Sequence, residues 1–336
     1  MFHITLLAYP NCSMSSISGV IDTFTVANLW CQIDSTSNEE CAPLFHWDIV
    51  TIDGNPVQGA GRIEIKPQRS IHDIKSTDFI FIPGSLPPLD CIGNVPEEIS
   101  AWIHDWYAKK AMIGTACTGA FFLAETGLLN DKLATTNWMF VKDFEKRYPR
   151  VHLKSEQILT EDSGILCSGA TTAFIDLCYY VIEKFGSAEL SACCSKTLLI
   201  SPNRLSQLPY AIFDFQKDHT DKKVLEAQIH MEKKFTETIS VEELASNFGF
   251  SPRNFKRRFK NATGYSPLTY LQKIRIESAK HKLESTMESV DEITYQVGYE
   301  NSNSFRRLFK KVTGISPREY RDRFTRVIKP ELSVSH

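Results

Sequence analysis

The first 200 residues alternate short apolar runs with longer stretches whose apolar positions recur every three or four residues. Residues 4–8, 47–52, 79–83, 112–115 and 164–167 are the short runs, each ended by Gly, Pro or polar residues, and they read as buried strands. Residues 17–30, 96–109, 119–126, 138–147 and 171–185 carry helical spacing between them. Such alternation predicts an α/β fold: a doubly wound, mostly parallel sheet with helices on both faces. Residues 201–221, with Pro202 and Pro209 among mixed polar positions, break the pattern and predict a connection between two domains. From residue 222 onward the pattern is helical alone.

That second half repeats itself. Ser240-Val241-Glu242-Glu243-Leu244 returns as Ser289-Val290-Asp291-Glu292-Ile293, and Phe248-Gly249-Phe250 as Val297-Gly298-Tyr299. Phe255-Lys256-Arg257-Arg258-Phe259-Lys260 returns as Phe305-Arg306-Arg307-Leu308-Phe309-Lys310. Thr263-Gly264 with Ser266-Pro267 returns as Thr313-Gly314 with Ser316-Pro317, and Tyr270 as Tyr320. The offset is 49 before the glycine and 50 after it, so the second turn holds one inserted residue. Two copies are too few for a solenoid and describe a duplicated small module.

Each copy reads as helix, glycine turn, helix, with Ser251 or Ser302 placed to cap the second helix. That helix buries Phe255 and Phe259 in one copy, and Phe305 and Phe309 in the other. Arg253, Lys256, Arg257 and Lys260 face outward in the first copy; Ser302, Asn303, Arg306, Arg307 and Lys310 occupy the corresponding helix of the second. A helix basic outside and aromatic inside, entered through a tight turn, suits a DNA major groove. Arginine offers paired donors to guanine, and asparagine can pair with adenine. Solvated basic faces on ordinary hairpins are the plainer reading, but two copies with one layout argue against it. Residues 267–284 form a connecting helix, with Leu268, Leu271, Ile274, Ala279 and Leu283 available for packing. Residues 228–326 resemble the DNA-binding domain of AraC-type transcription regulators, through Val297-Gly298-Tyr299 and the Thr-Gly-x-Ser-Pro-x-x-Tyr segment that follows.

Charge divides the chain at the same place. The net charge of the 336 residues is −2, yet residues 221–336 hold 22 Lys+Arg against 15 Asp+Glu, a net of +7. The remaining residues carry 16 against 25, a net of −9. A basic tail on an acidic body points to an anionic partner for the tail, nucleic acid first, and with the groove-fitting helices double-stranded DNA is expected. No apolar run approaches the roughly 20 residues that span a bilayer. The N-terminal residues lack the basic start and cleavage site of a signal peptide, so a cytoplasmic protein with no membrane partner is expected. Nine cysteines, an odd number without a Cys-x-x-Cys pair, argue against a disulfide framework. Cys193-Cys194 is expected to pack in a core. The nine histidines show no metal-ligand spacing, so neither metal nor cofactor is expected.

Gly114-Thr115-Ala116-Cys117-Thr118-Gly119-Ala120 follows a predicted strand and opens a helix. Small residues around Cys117 permit the tight turn that exposes a nucleophile at a sheet edge, and the helix N-terminus would depress the thiol pKa. Gly84-Ser85-Leu86-Pro87-Pro88 follows another strand and could cradle a ligand with backbone amides beside Cys117, or serve as a rigid loop. Ser168-Gly169-Ala170-Thr171-Thr172, leading into the helix with Asp176, could close the same pocket.

With Phe121–Leu129 and Ala134-Thr135-Thr136-Asn137-Trp138 downstream, this half resembles the PfpI/ThiJ, class I glutamine-amidotransferase-like fold. Nearly the whole chain is similar to the GlxA-type regulators, which join that fold to an AraC-type tail. The resemblance implies a flavodoxin-like sensor domain at 1–200, a linker at 201–227, a DNA-binding domain at 228–328 and a tail at 329–336. Superfamily enzymes pair the elbow cysteine with a histidine; the related position here is Asn137, which cannot accept a proton near neutral pH. Ser15-Ser16-Ile17 stands where many members carry an acid. His104 or His152 could substitute only within hydrogen-bond reach. No catalytic residue is therefore assigned, and Gly84, Ser85, Cys117, Thr118 and Asn137 are taken as a ligand pocket. The resemblance implies a nitrogen-containing carboxylate, such as an amino acid or a betaine-like compound, as effector; a homodimer is expected as well, with residues 1–200 forming the contact and the tail domain folding alone. The competing readings are a cysteine-dependent amidase or hydrolase with a DNA-tethering tail, a dimerisation scaffold without a ligand, and a redox-sensitive thiol.

Overall fold

In the computed structural model the described residues are 1–34, 42–85, 95–201 and 204–325. The apolar runs assemble into one seven-stranded sheet. Strands β1 (Phe2–Leu7), β2 (Phe45–Thr51), β6 (Phe79–Ile82), β7 (Met112–Ala116) and β11 (Ile165–Ser168) pair in parallel in the order β2-β1-β6-β7-β11. In chain order this is 2-1-3-4-5, a flavodoxin-like doubly wound arrangement whose switch point lies between β1 and β6. Every residue of β6, β7 and β11 is buried, as expected for parallel strands covered on both faces. Short β5 (Arg69–Ser70) closes one edge in parallel, and β10 (Leu159–Asp162) closes the other antiparallel to β11. Two-residue ribbons β3/β4 (Val57–Gln58, Glu64–Ile65) and β8/β9 (Leu133–Ala134, His152–Leu153) stand apart from the main sheet.

Helices α1 (Met14–Asp34), α5 (Phe174–Phe185) and α6 (Ala188–Thr197) pack on one another. Gly19 leaves room for the Phe174 ring, which a Cβ would meet at 2.3 Å. Helix α2 (Glu97–Ala108) buries Ile99, Ile103 and Trp106. Of the cysteine pair expected in the core, Cys194 is buried in α6 whereas Cys193 is half-buried, because adjacent helical residues point about 100° apart. The stretch expected as one helix after Asn137 divides into a tight turn at Trp138–Phe140 and α4 (Val141–Arg147).

The division between the two units falls between Gln207 and Leu208, within the stretch expected to connect two domains. In the second unit α7 (Lys222–Lys234) precedes two copies of one module, α8/α9 (Val241–Asn247, Pro252–Thr263) and α11/α12 (Val290–Gln296, Ser302–Thr313). The long α10 (Pro267–Ser285) links the copies, and α13 (Pro317–Phe324) ends the unit. Gly264 and Gly314 close α9 and α12 at φ +79°, a left-handed conformation that glycine adopts without steric penalty. Leu268, expected to pack, is exposed instead, in the first turn of α10 ahead of the buried Tyr270, Leu271 and Ile274.

One close approach fixes the elbow region of the sheet. A Cβ on Gly119 would lie 2.6 Å from the Ile82 carbonyl oxygen and 2.8 Å from that of Pro83, both backbone atoms unable to yield. Gly119→Ala should therefore lower the unfolding free energy by about 1–3 kcal/mol. Denaturant titration of the full chain checks this, and unchanged stability would show that the strand end moves freely.

Candidate ligand pocket and nucleic-acid interface

Strand β7 ends at Ala116, and the chain must turn sharply into α3 (Gly119–Glu125). Cys117 makes that turn in the left-handed region, φ +56°, a conformation rare for a residue with a Cβ. Its N–H donates to Ser168 O at 2.8 Å and its carbonyl accepts the Thr136 hydroxyl at 2.9 Å. Backbone on both sides thus holds the turn. The Thr118 hydroxyl accepts from Ser85 N–H at 2.8 Å and donates to Ser85 O at 2.7 Å, clamping the segment after β6 to the elbow. Gly84 lies so close that a Cβ there would meet Cys117 Cβ at 3.1 Å.

Two groups reach the sulfur. Asn137 Nδ2 donates to Cys117 Sγ at 3.4 Å, and the Thr171 hydroxyl lies 3.9 Å away. The amide orientation follows from its other end, because Asn137 Oδ1 accepts from Met139 N–H at 3.0 Å and that group can only donate. The thiol therefore faces a donor where a base would be needed. His104 instead bonds Thr126 O at 2.8 Å, and His152 sits exposed on β9. Cys117 is only 5% exposed, a correction to the expectation of an open nucleophile: the Gly84 backbone, Asn137 and Thr171 cover it.

The surroundings are neutral as well. Burial pushes the Tyr9 phenol well above its ordinary range and the Cys12 thiol up to about 11. Tyr9 donates to Pro83 O at 2.6 Å. Burial also raises the carboxyl of Asp176, opposed by Arg204, which bonds it and Thr172.

The structure thus brings Gly84, Ser85, Cys117, Thr118 and Asn137 together, but Ser85 and Thr118 are arranged differently from the expectation. The Ser85 amide, expected in an anion cradle, is occupied by Thr118, whose own hydroxyl is closed in the same clamp. Leu86, Pro87 and Pro88 lie outside the described residues. The Ser85 hydroxyl, by contrast, is buried with no hydrogen-bond partner among the described residues. Sequence reasoning missed Gln207, buried beside the elbow: its Nε2 donates to Thr136 O at 2.8 Å and its Oε1 accepts from Trp138 N–H at 3.2 Å. Gly169 leaves the room for that side chain. A lone glutamine after a proline-containing stretch offered no periodic signal.

In the helical unit, Phe255, Phe259, Phe305 and Phe309 are fully buried. Arg253, Lys256, Arg257, Lys260, Asn303, Arg306, Arg307 and Lys310 are all exposed on α9 and α12. Arg257 Nη2 donates to Asn254 Oδ1 at 3.1 Å, and Arg307 lies 3.5 Å from Ser304 Oγ one module later. The remaining arginine of α9, Arg258, turns back and bonds Asp221 through two contacts of 2.8 Å, holding that carboxyl below the usual carboxylate range. Ser302 was expected as a possible cap and DNA contact. The cap is Asn301, whose Oδ1 accepts from Ser304 N–H at 2.9 Å: at the repeat offset of 50 Asn301 takes the place of Ser251, and Ser302 takes that of Pro252, the first residue of the helix. Ser302 joins Asp291 and Arg306. Sequence reasoning also passed over Glu242 and Asp291, although their recurrence in the repeat was visible.

Among the described residues no helix is long and apolar enough to cross a membrane, and no three His, Cys, Asp or Glu side chains could hold a metal.

Comparison with known proteins divides the chain the same way. Residues 42–184 match the DJ-1/PfpI family, and residues 244–323 match a helix-turn-helix domain. The HTH-type transcriptional regulator GbdR of Pseudomonas aeruginosa is 24% identical, over 95% of this chain and 83% of its own. The HTH-type transcriptional regulator CdhR of the same species is 22% identical over 94% and 90%. Among solved structures, a candidate transcriptional regulator from Vibrio parahaemolyticus superposes with a TM-score of 0.51 at 21% identity, covering 59% of this chain and 98% of that one. At that identity the likeness shows the α/β fold alone.

The exposed arginines yield a direct expectation. Arg257→Ala should weaken a specific site by about 1–3 kcal/mol if it reads a base, and all duplexes alike if it meets only phosphate. Anisotropy titrations at two salt concentrations separate these outcomes, and undiminished binding to every duplex would remove Arg257 from the interface.

Proposed function

Given a chain that joins a DJ-1/PfpI domain to a helix-turn-helix domain of the AraC type and acts as a DNA-binding transcription regulator, we propose that its α/β unit senses a small metabolite without turning it over. The observation that carries this is the Asn137 amide donating to Cys117 Sγ. An amide at neutral pH takes no proton from a thiol, so the group that would activate a nucleophile is replaced by one that orients a ligand. The buried Ser85 hydroxyl, without a hydrogen-bond partner among the described residues, supplies a second polar group at the carboxyl edge of the strands, where ligands of open α/β sheets bind. Together they suit a polar, nitrogen-containing carboxylate.

The DNA contacts we assign are Arg253, Lys256, Arg257, Lys260, Asn303, Arg306 and Arg307, with Ser302 acting through Arg306. The α/β unit ends at Gln207, whose amide bonds Thr136 O next to Asn137. A ligand that moves Asn137 would thereby move the start of the connection, and it regulates only if it favours one arrangement over another.

We assign the homodimer contact to the α/β unit. The helical modules close two cores of their own and can fold without the α/β unit, and the α/β unit carries Leu29, Ile33, Leu199 and Leu205 at 49, 61, 91 and 83% exposure. Light scattering of the separated halves should find a dimeric α/β half and a monomeric helical half. The reverse pattern would overturn the assignment.

Cys117→Ser should leave basal DNA binding intact and alter only the shift in melting temperature produced by amino acids and betaines at saturating concentration. Steady hydrolysis of an amide substrate by the full chain, abolished by that substitution, would establish an enzyme instead.

A further inference from the structure

In both helical modules a carboxylate from the leading helix holds a cation of the recognition helix. Glu242 Oε1 lies 3.1 Å from Lys256 Nζ, and Asp291 Oδ1 lies 2.9 Å from Arg306 Nη2. Asp291 also accepts the Ser302 hydroxyl. Neither acid is needed for capping, which falls to the next residue: Ser240 accepts from Glu243 N–H, and Ser289 forms a reciprocal cap with Glu292. Nor do the pairs hold the fold. All four side chains are half exposed or more, and such pairs contribute only about 0–1 kcal/mol. On a surface that meets phosphates a carboxylate opposes binding, so its recurrence at the same place in both copies calls for another role.

The geometry of Arg306 supplies one. Its Nε donates to Ser302 Oγ at 3.1 Å while Nη2 donates to Asp291, so one edge of the planar guanidinium is engaged by protein. The outer fork, formed by Nη1 and the second Nη2 N–H, faces away from that edge. An end-on fork of this kind fits guanine O6 and N7. Lys256 offers only a rotatable point charge, which a single carboxylate cannot aim. Hydrogen bonds from Ser302 and Arg306 keep the Asp291 carboxyl below its usual range, so it stays ionised.

We propose that Asp291, directly and through Ser302, is a positioning residue that aims the Arg306 fork at a base edge, so that the second module reads sequence through a fixed arginine. Glu242, holding an ammonium, tempers phosphate attraction without adding sequence preference. The two copies of one module thus divide the work by the chemistry of the cation each acid holds. The proposal rests on the DNA-binding function and adds which residue sets its specificity.

The test uses the full chain and a duplex that it selects from a randomised pool, compared with a scrambled duplex of the same composition. Asp291→Ala should lower the ratio of the two affinities about tenfold while tightening binding to the scrambled duplex. Arg306→Lys, which keeps the charge and removes the fork, should lower the ratio equally, and the double variant should go no lower. Asp291→Glu should recover most of the ratio. Glu242→Ala should tighten both duplexes and leave the ratio unchanged. An unchanged ratio in Asp291→Ala or Arg306→Lys overturns the proposal, as does an equal fall in Glu242→Ala. A wild-type chain that selects no sequence would overturn the DNA-binding reading along with it.

Discussion

The helical unit depends on burying two phenylalanines, four residues apart, in each recognition helix. Phe255 and Phe259 enter a core with Leu244, Tyr270 and Ile274; Phe305 and Phe309 enter another with Ile276, Leu283, Ile293 and Tyr320. Losing one such ring costs about 3–5 kcal/mol, so rotation of either helix about its axis is not an accessible alternative. With the aromatic stripe fixed inward, Lys256 and Arg257 on one helix and Arg306 and Arg307 on the other face out, while Arg258 turns back to Asp221. Helix α10 contributes to both cores, Tyr270, Leu271 and Ile274 to one and Ile276, Ala279 and Leu283 to the other. Its 19 residues span about 28 Å, so the two basic faces share one rigid spacer close to a DNA turn in length.

The α/β unit is organised around a turn rather than a stripe. Cys117 occupies a conformation that costs a non-glycine residue on the order of 1–2 kcal/mol, and the surrounding bonds from Ser168, Thr136 and Thr118 hold it there. Such strain commonly marks a site where geometry serves function. What the site does is decided by its neighbour: an asparagine gives the sulfur a donor, and the nearby Tyr9 and Cys12 stay neutral through burial. Among the described residues, the side chains that reach the sulfur, Asn137 and Thr171, include no base.

Much of this was legible in the residues. The five parallel strands showed because each carries a short apolar run, the mark of burial between helix layers, although β2 also holds His46 and Asp48, and the duplicated module showed because the phenylalanine spacing and Thr-Gly/Ser-Pro punctuation repeat. The antiparallel edge strand β10 did not show, since Leu159-Thr160-Glu161-Asp162 is half solvated and carries no apolar run. The placement of Asn137 against Cys117 was readable from the family resemblance alone, twenty residues being too many for local spacing to connect. Gln207 and the Thr118 clamp were invisible for the same reason: both are single polar side chains whose partners lie far away in the sequence. Ser302 was misplaced although the repeat offset of 50 already sets Asn301 opposite Ser251, with Ser302 opposite Pro252 inside the helix.

The central claim is that the outward basic faces of α9 and α12 read DNA sequence. Mapping the occupancy of the full chain across genomic DNA in cells, beside an Arg257→Ala/Arg307→Ala variant of equal abundance, tests it most directly. The account predicts discrete peaks that share one sequence motif in the parent and vanish in the variant. Peaks that persist unchanged in the variant, or occupancy in the parent that follows no sequence, would contradict it.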